Sequence, residues 1–157
     1  MDYRQLIPEN QISGEDDQET AELAQMLQET KQYIMSFPWC PPISEVFLGM
    51  GIGGVLAVFL VRFKTSIKGE SDDSLWIIIG DLPSAYLVCD NAQTPQQALG
   101  IYCDLMDEWI DAVRVGAPLD NIFPVDAPAE KEYANKLAIR LAFIRDKILP
   151  RYNSPDT

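Results

Sequence analysis

Apolar and polar positions alternate most strictly between Val55 and Phe63. Val55, Ala57, Phe59, Val61 and Phe63 fall on one side of an extended chain, and Leu56, Val58, Leu60, Arg62 and Lys64 on the other. β-Branched and aromatic residues dominate the run. It therefore predicts a strand, central where both sides are apolar and emerging into solvent towards Ser66. Leu75 to Ile79 predicts a second strand, stopped by Gly80, Asp81, Leu82 and Pro83, and Tyr86 to Cys89 a short third one. The polar connection from Ile67 to Ser74 is too short for a crossover helix, so the first two strands are expected to be antiparallel.

Helical periods flank these strands. From Glu19, the residues Ala21, Ala24, Leu27, Lys31 and Ile34 lie near one line, with acids in the first turn where the helix dipole favours them; Phe37, Pro38 and Trp39 end the run. Thr94, Pro95, Gln96 and Gln97 form a strong start signal: a hydroxyl cap, proline at the first helical position and glutamine completing a capping box. That helix is expected to reach about Arg114, with Ala98, Tyr102, Leu105, Met106, Trp109 and Val113 on one face and Gly116 as the stop. A last helix from about Pro128 to Leu149 turns Ala134, Leu137, Ala138, Leu141, Ile144 and Ile148 inward, and Pro150 closes it. The order predicts an α+β fold: a small antiparallel sheet of three to four strands, with an N-terminal helix and two C-terminal helices packed on one face. One domain is expected over residues 1–157, with residues 1–18 as a loose arm.

Charge narrows the chemistry. Twelve bases against 24 acids leave a net charge of -12, and there is no histidine. Nucleic-acid and anionic-membrane binding are therefore disfavoured, and a basic protein partner or a cation is favoured. Without imidazole there is no Ser/His/Asp triad, Cys/His dyad or histidine metal ligand, so no catalytic residue, metal site or cofactor is assigned. Only residues 127–157 are net basic, with six bases to four acids, and these are expected to pair with the acidic remainder. Cys40, Cys89 and Cys103 are odd in number with no Cys-x-x-Cys spacing, and the N-terminus lacks a basic-then-apolar leader; both point to the cytoplasm. The uncharged stretch Val46–Val61 is 16 residues long and interrupted by glycines, short of the roughly 20 that a membrane-spanning helix needs.

The run Trp76-Ile77-Ile78-Ile79-Gly80-Asp81-Leu82-Pro83-Ser84-Ala85-Tyr86, followed by Thr94-Pro95-Gln96-Gln97-Ala98, resembles the centre of an uncharacterised bacterial domain family. In that family too, a Trp-bearing strand ends in Gly-Asp-Leu-Pro and a tyrosine. The likeness covers roughly Val55 to Val115. It implies an α+β fold and a bacterial origin, and it lends no catalytic residue.

Three constellations merit testing. Gly49, Gly51 and Gly54 match the letters of a dinucleotide-binding loop, but strand periodicity follows where a helix should open, so a turn or bulged strand edge is expected. Asp104, Asp107, Glu108 and Asp111 share one helical arc with no base in the same arc, which marks a candidate surface for a basic partner. Asp81, Tyr86 and Trp76 are candidate ligand-binding residues at the strand ends. The first reading is a non-catalytic acidic interaction module of immunity-protein, antitoxin or chaperone type, with homodimerisation allowed. The alternative is a small-ligand-binding protein or carboxylate-dependent hydrolase with a pocket near Asp81 and Tyr86.

Overall fold

Strand β3 (Leu56–Phe63) is the middle of a five-stranded antiparallel sheet in the computed structural model, which describes residues 3–67 and 73–152. The order is β1 (Ile7–Pro8), β2 (Ile43–Ile52), β3, β4 (Ser74–Gly80) and β5 (Ala85–Val88). Phe59 faces Ile77 and Leu60 faces Trp76 across β3 and β4, the antiparallel pairing expected from their short connection. Residues 68–72, the centre of that connection, lie outside the described residues, as do residues 1 and 2 of the arm.

Alternation along β3 divides the interior into two cores. Ala57, Phe59, Val61 and Phe63, with Leu75, Ile77 and Ile79 of β4, pack against Leu23, Met26, Leu27 and Ile34 of helix α1 (Asp17–Met35). Leu56, Val58 and Leu60, with Trp76 and Ile78, pack against helices α2 (Pro95–Val115) and α3 (Lys131–Phe143). The helices therefore cover both sheet faces, a correction to the expected one-sided arrangement. The cause is already in β3: it is apolar on both sides for most of its length, and each apolar side needs a cover. Within α1 the buried line runs through Leu23, Met26, Leu27, Thr30 and Ile34, while Ala21 and Ala24 face solvent, because the larger apolar side chains gain more from burial.

The sheet has five strands against the expected three to four, the additions to the three located in sequence being β1 and β2. β2 passes through the glycine-rich segment, with an irregular register between Leu48 and Met50, and a turn at Gly53 and Gly54 joins it to β3. Gly49 is required by close approach: a Cβ there would lie 2.7 Å from the Pro95 ring at the start of α2. β1 is only two residues long, but it anchors the described part of the arm, pairing Ile7 with Leu48 and Pro8 with Phe47. Leu6 is buried, Glu9 meets Lys31 at 2.6 Å, and Asp16 caps α1 by accepting the Glu19 N–H at 2.7 Å.

Helix α2 starts and stops where its end signals lie. Thr94 Oγ1 accepts the Gln97 N–H at 3.1 Å, and Gly116 takes a left-handed conformation after the last turn. After α3 the chain makes a π-helical turn (Ile144–Ile148), with the Leu149 N–H donating to Ile144 O, and continues as the short helix α4 (Leu149–Tyr152). The helical path thus runs through Pro150, which was expected to close it. The wider turn accommodates a residue that offers no N–H and would crowd a regular α-turn. No described helix is long and apolar enough to cross a membrane, and among the described residues no disulfide joins Cys40, Cys89 and Cys103.

Candidate functional site

The end of β4 organises the surface. Gly80 has φ +145, and a Cβ there would run into the Val55 carbonyl oxygen, so only glycine lets β4 close against the start of β3. The next N–H, that of Asp81, donates to Val55 O at 3.0 Å. This turn delivers Asp81 to α3. Arg140 Nη2 lies 3.0 Å from Asp81 Oδ2, Arg140 Nε donates to the Asp81 carbonyl, and Nη1 donates to Lys136 O at 3.3 Å. Both side chains are substantially exposed, so the ion pair itself is worth about 0–1 kcal/mol. Its main effect is positional: it fixes the β4 end to α3.

Three clefts meet at Asp81. One, of about 430 Å³, lies between Leu82, Pro83, Trp109, Pro128, Tyr133 and Lys136. A second, of about 320 Å³, is lined mainly by Val55, Leu82, Ile139, Phe143, Ile144 and Ile148. Ile139 and Phe143 are 70% and 50% exposed at its rim. The third, of about 390 Å³, runs between Gly54, Gly80 and Asp81 and the α1 residues Glu22, Gln25 and Glu29.

The other two candidate ligand residues lie elsewhere. Tyr86 lines a separate cleft with Tyr33 and Phe37, so Asp81 and Tyr86 do not share one pocket. Trp76 is 0% exposed and donates its indole N–H to Ala92 O at 2.9 Å, which makes it a core residue with no surface for a ligand. Tyr102, read from sequence as packing, supplies the buried polar contact near Asp81: its hydroxyl donates to Pro83 O at 2.7 Å. Burial drives its phenol pKa far up, so it serves as a neutral donor. Burial also pushes the Cys103 thiol up to about 11, against the opposing pull of Arg145, and raises that of Cys40. Neither thiol has the depressed pKa of an activated nucleophile. Among the described residues no three acidic or thiol groups gather as metal ligands.

The acidic arc of α2 is partly neutralised. Arg145 reaches Asp104 at 3.0 Å and Asp107 at 2.7 Å, and its own pKa is raised, first by the hydrogen bond to Asp107. Sequence reasoning placed no base on this arc because Arg145 arrives from another element, 41 residues along the chain from Asp104. Glu108 and Asp111 remain exposed on the same arc, and no described ion pair engages them. Two of the six C-terminal bases pair with the acidic remainder, Arg140 with Asp81 and Arg145 with Asp104 and Asp107, whereas Lys136 pairs with Glu132 of its own helix. The acidic face that sequence reasoning passed over is that of α1. Its signal was available, because residues 5–30 contain seven acids and no base.

The class defined by these features is an α+β layered domain, with helices on both faces of an antiparallel meander and open clefts at one end of β4. No family model, curated protein or solved structure matches the chain.

Proposed function

We propose that this protein is a non-catalytic interaction module for a basic partner, and that the partner docks at the β4 end and not on the α2 arc. The observation that carries this reading is the junction at Asp81 of the apolar cleft, rimmed by Ile139 and Phe143, with the carboxylates Glu22 and Glu29 of α1. An apolar anchor flanked by lysine or arginine would satisfy both halves at once. Apolar anchors slow dissociation, while unpaired surface charge of one sign speeds encounter with the opposite sign. The α2 arc is the weaker candidate because Arg145 already occupies two of its four carboxylates.

Immobilised peptides that combine a Leu or Phe with flanking Lys or Arg test the proposal. Wild-type protein is expected to bind at low salt and to release as salt rises past the Debye-screening range. Glu22→Lys with Glu29→Lys should slow association at least tenfold, and Phe143→Ser should speed dissociation, with both variants keeping the wild-type melting temperature. If Glu108→Lys with Asp111→Lys abolishes binding while the α1 and Phe143 variants bind normally, the docking surface is the α2 arc and the proposal fails. Peptide binding that none of the three variants alters also refutes it.

A further inference from the structure

The largest of the four clefts, about 510 Å³, shares no residue with the apolar cleft or with the α1 carboxylate cleft. Its walls come from Tyr33 in the last turn of α1 and Ser36 and Phe37 just after it, from Ser84 and Tyr86 beside the β4–β5 turn, and from the 123–126 segment that precedes α3. Aromatic rings dominate it. Tyr33 and Phe37 meet edge to face with centroids 5.3 Å apart, and Phe37 and Tyr86 do so at 5.2 Å. Trp39 backs the cluster, 5.1 Å from Tyr86 and 5.4 Å from Phe37. Phe123 contributes a further ring to the lining.

Three independent features give this aromatic cleft negative polarity. Ring faces carry the negative part of the aromatic quadrupole. The Asp126 carboxylate lies on the lining, and its charge is felt at Tyr33, whose phenol it helps to hold protonated. Finally, the cleft receives the C-terminal end of a 19-residue helix whose last turn contains no basic residue, so no cation of that turn offsets the negative end of its dipole, although the Ser36 hydroxyl already donates to Tyr33 O. Aromatic faces beside a carboxylate and a helix C-terminus suit an organic cation with a greasy, weakly hydrated head. They suit inorganic cations less, since those need several oxygen ligands, and they suit anions not at all.

We infer that this cleft binds an alkylated ammonium group, held over Tyr33, Phe37 and Tyr86 and balanced by Asp126. The head is carried either by a small molecule or by a methylated lysine of a protein chain.

Choline, its uncharged tert-butyl isostere and a short peptide carrying trimethyl-lysine serve as probes, each titrated into the full chain while amide shifts and tryptophan fluorescence are followed. Choline is expected to saturate, to move the amides of Tyr33, Phe37, Tyr86 and residues 123–126, and to change the Trp39 emission. The isostere should bind about tenfold more weakly, because it keeps the shape and loses the charge. Asp126→Asn, an exposed change that leaves the circular dichroism and melting temperature unaltered, should weaken choline about fivefold. A peptide that binds much more tightly than choline assigns the cation to a protein chain, whereas equal affinities assign it to a small molecule. Equal binding of choline and its isostere, shifts confined to other surfaces, or no saturable binding to the folded protein would overturn the inference.

Discussion

Helices α1 and α2 lie on opposite faces of one sheet, and both turn acidic residues outward, yet their electrostatic surroundings differ. On α2, Asp104 and Asp107 converge on Arg145. On α1, the base in the second half of the helix, Lys31, points back to Glu9 of the arm, and Glu22 and Glu29 border a cleft instead of a cation. Spacing along a helix reveals which carboxylates share a face. Whether a face is neutralised depends on what the fold brings beside it. The contrast separates acids that a base of this fold neutralises from acids that border an open cleft.

The interior differs in the same sense, and the largest expected effect lies there. The α2 side of the sheet buries two polar tips, the Trp76 indole and the Tyr102 hydroxyl, each donating to a carbonyl of a loop. On the α1 side the buried hydroxyl of Thr30 returns to its own helix at Met26 O. Trp76→Ala should therefore cost about 3–5 kcal/mol, by cavity formation plus an orphaned Ala92 carbonyl. Leu23→Ala on the other face should fall at the low end of the 2–5 kcal/mol range for apolar truncation. Urea denaturation measures both. Equal costs would mean that the two cores are alike and that the buried donors add nothing.

Tyr102→Phe isolates the donor from the packing. Removing one hydroxyl from beneath Pro83 should destabilise by about 1–2 kcal/mol. It should also broaden the amide signals of Asp81 and Leu82, since the turn that presents Asp81 loses its support from below. A loss of stability without any change at Asp81 would detach Tyr102 from the β4 end.

On the outer surfaces, Arg145→Gln should cost about 0.5–1 kcal/mol, because it frees two neighbouring carboxylates to repel each other. Lys31→Gln, which touches a single exposed pair, should cost less than about 0.5 kcal/mol. A double-mutant cycle with Asp107→Asn reads the Arg145 coupling directly. If both substitutions cost the same, α1 and α2 are electrostatically equivalent and the proposed division of roles between them fails.

What the sequence disclosed, and what it hid, follows from range. β3, β4, β5 and α2 were legible because alternation, a proline–glycine stop and a capping box act within a few residues. β1 was too short to leave a period, and among the glycines that hid β2, Gly49 serves an approach by Pro95, more than forty positions away along the chain, and Gly51 one by Leu23 of α1. Asp81 does follow the end of β4, as the Gly-Asp-Leu-Pro stop implies, but its partner Arg140 is 59 residues distant, and nothing local identifies it. Trp76 and Tyr86 looked alike as aromatics near one turn. Strand pairing separates them: Trp76 sits opposite Leu60 on the α2 side, whereas Tyr86 pairs with Ile77 and packs towards α1. The aromatic cleft was invisible for the same reason, being assembled from three segments that are far apart in the chain.

The smallest effect is confined to alkaline solution and bears on that cleft. The Tyr33 phenol is pushed from 10.0 up to about 12, first by burial and then by the charges of Tyr86 and Asp126. Its pKa is thus higher folded than unfolded. Below pH 10.0 the phenol is neutral in both states, and its contribution to stability is fully present. Between pH 10.0 and about 12 the unfolded chain ionises first, so stability falls through that window and levels off above it. Because Tyr33 is only half-buried, the slope should stay below that of one full proton. Tyr102 is shifted in the same direction by burial, so the informative quantity is the difference in melting temperature between wild type and Tyr33→Phe. That difference should be flat below the window and change within it, and absorbance should show one phenol fewer titrating late. Asp126→Asn should narrow the window by removing one of the charges that hold the proton on. A Tyr33 that titrates like free tyrosine would mean that solvent reaches it freely, and the cleft would then be too open to hold a cation against its rings.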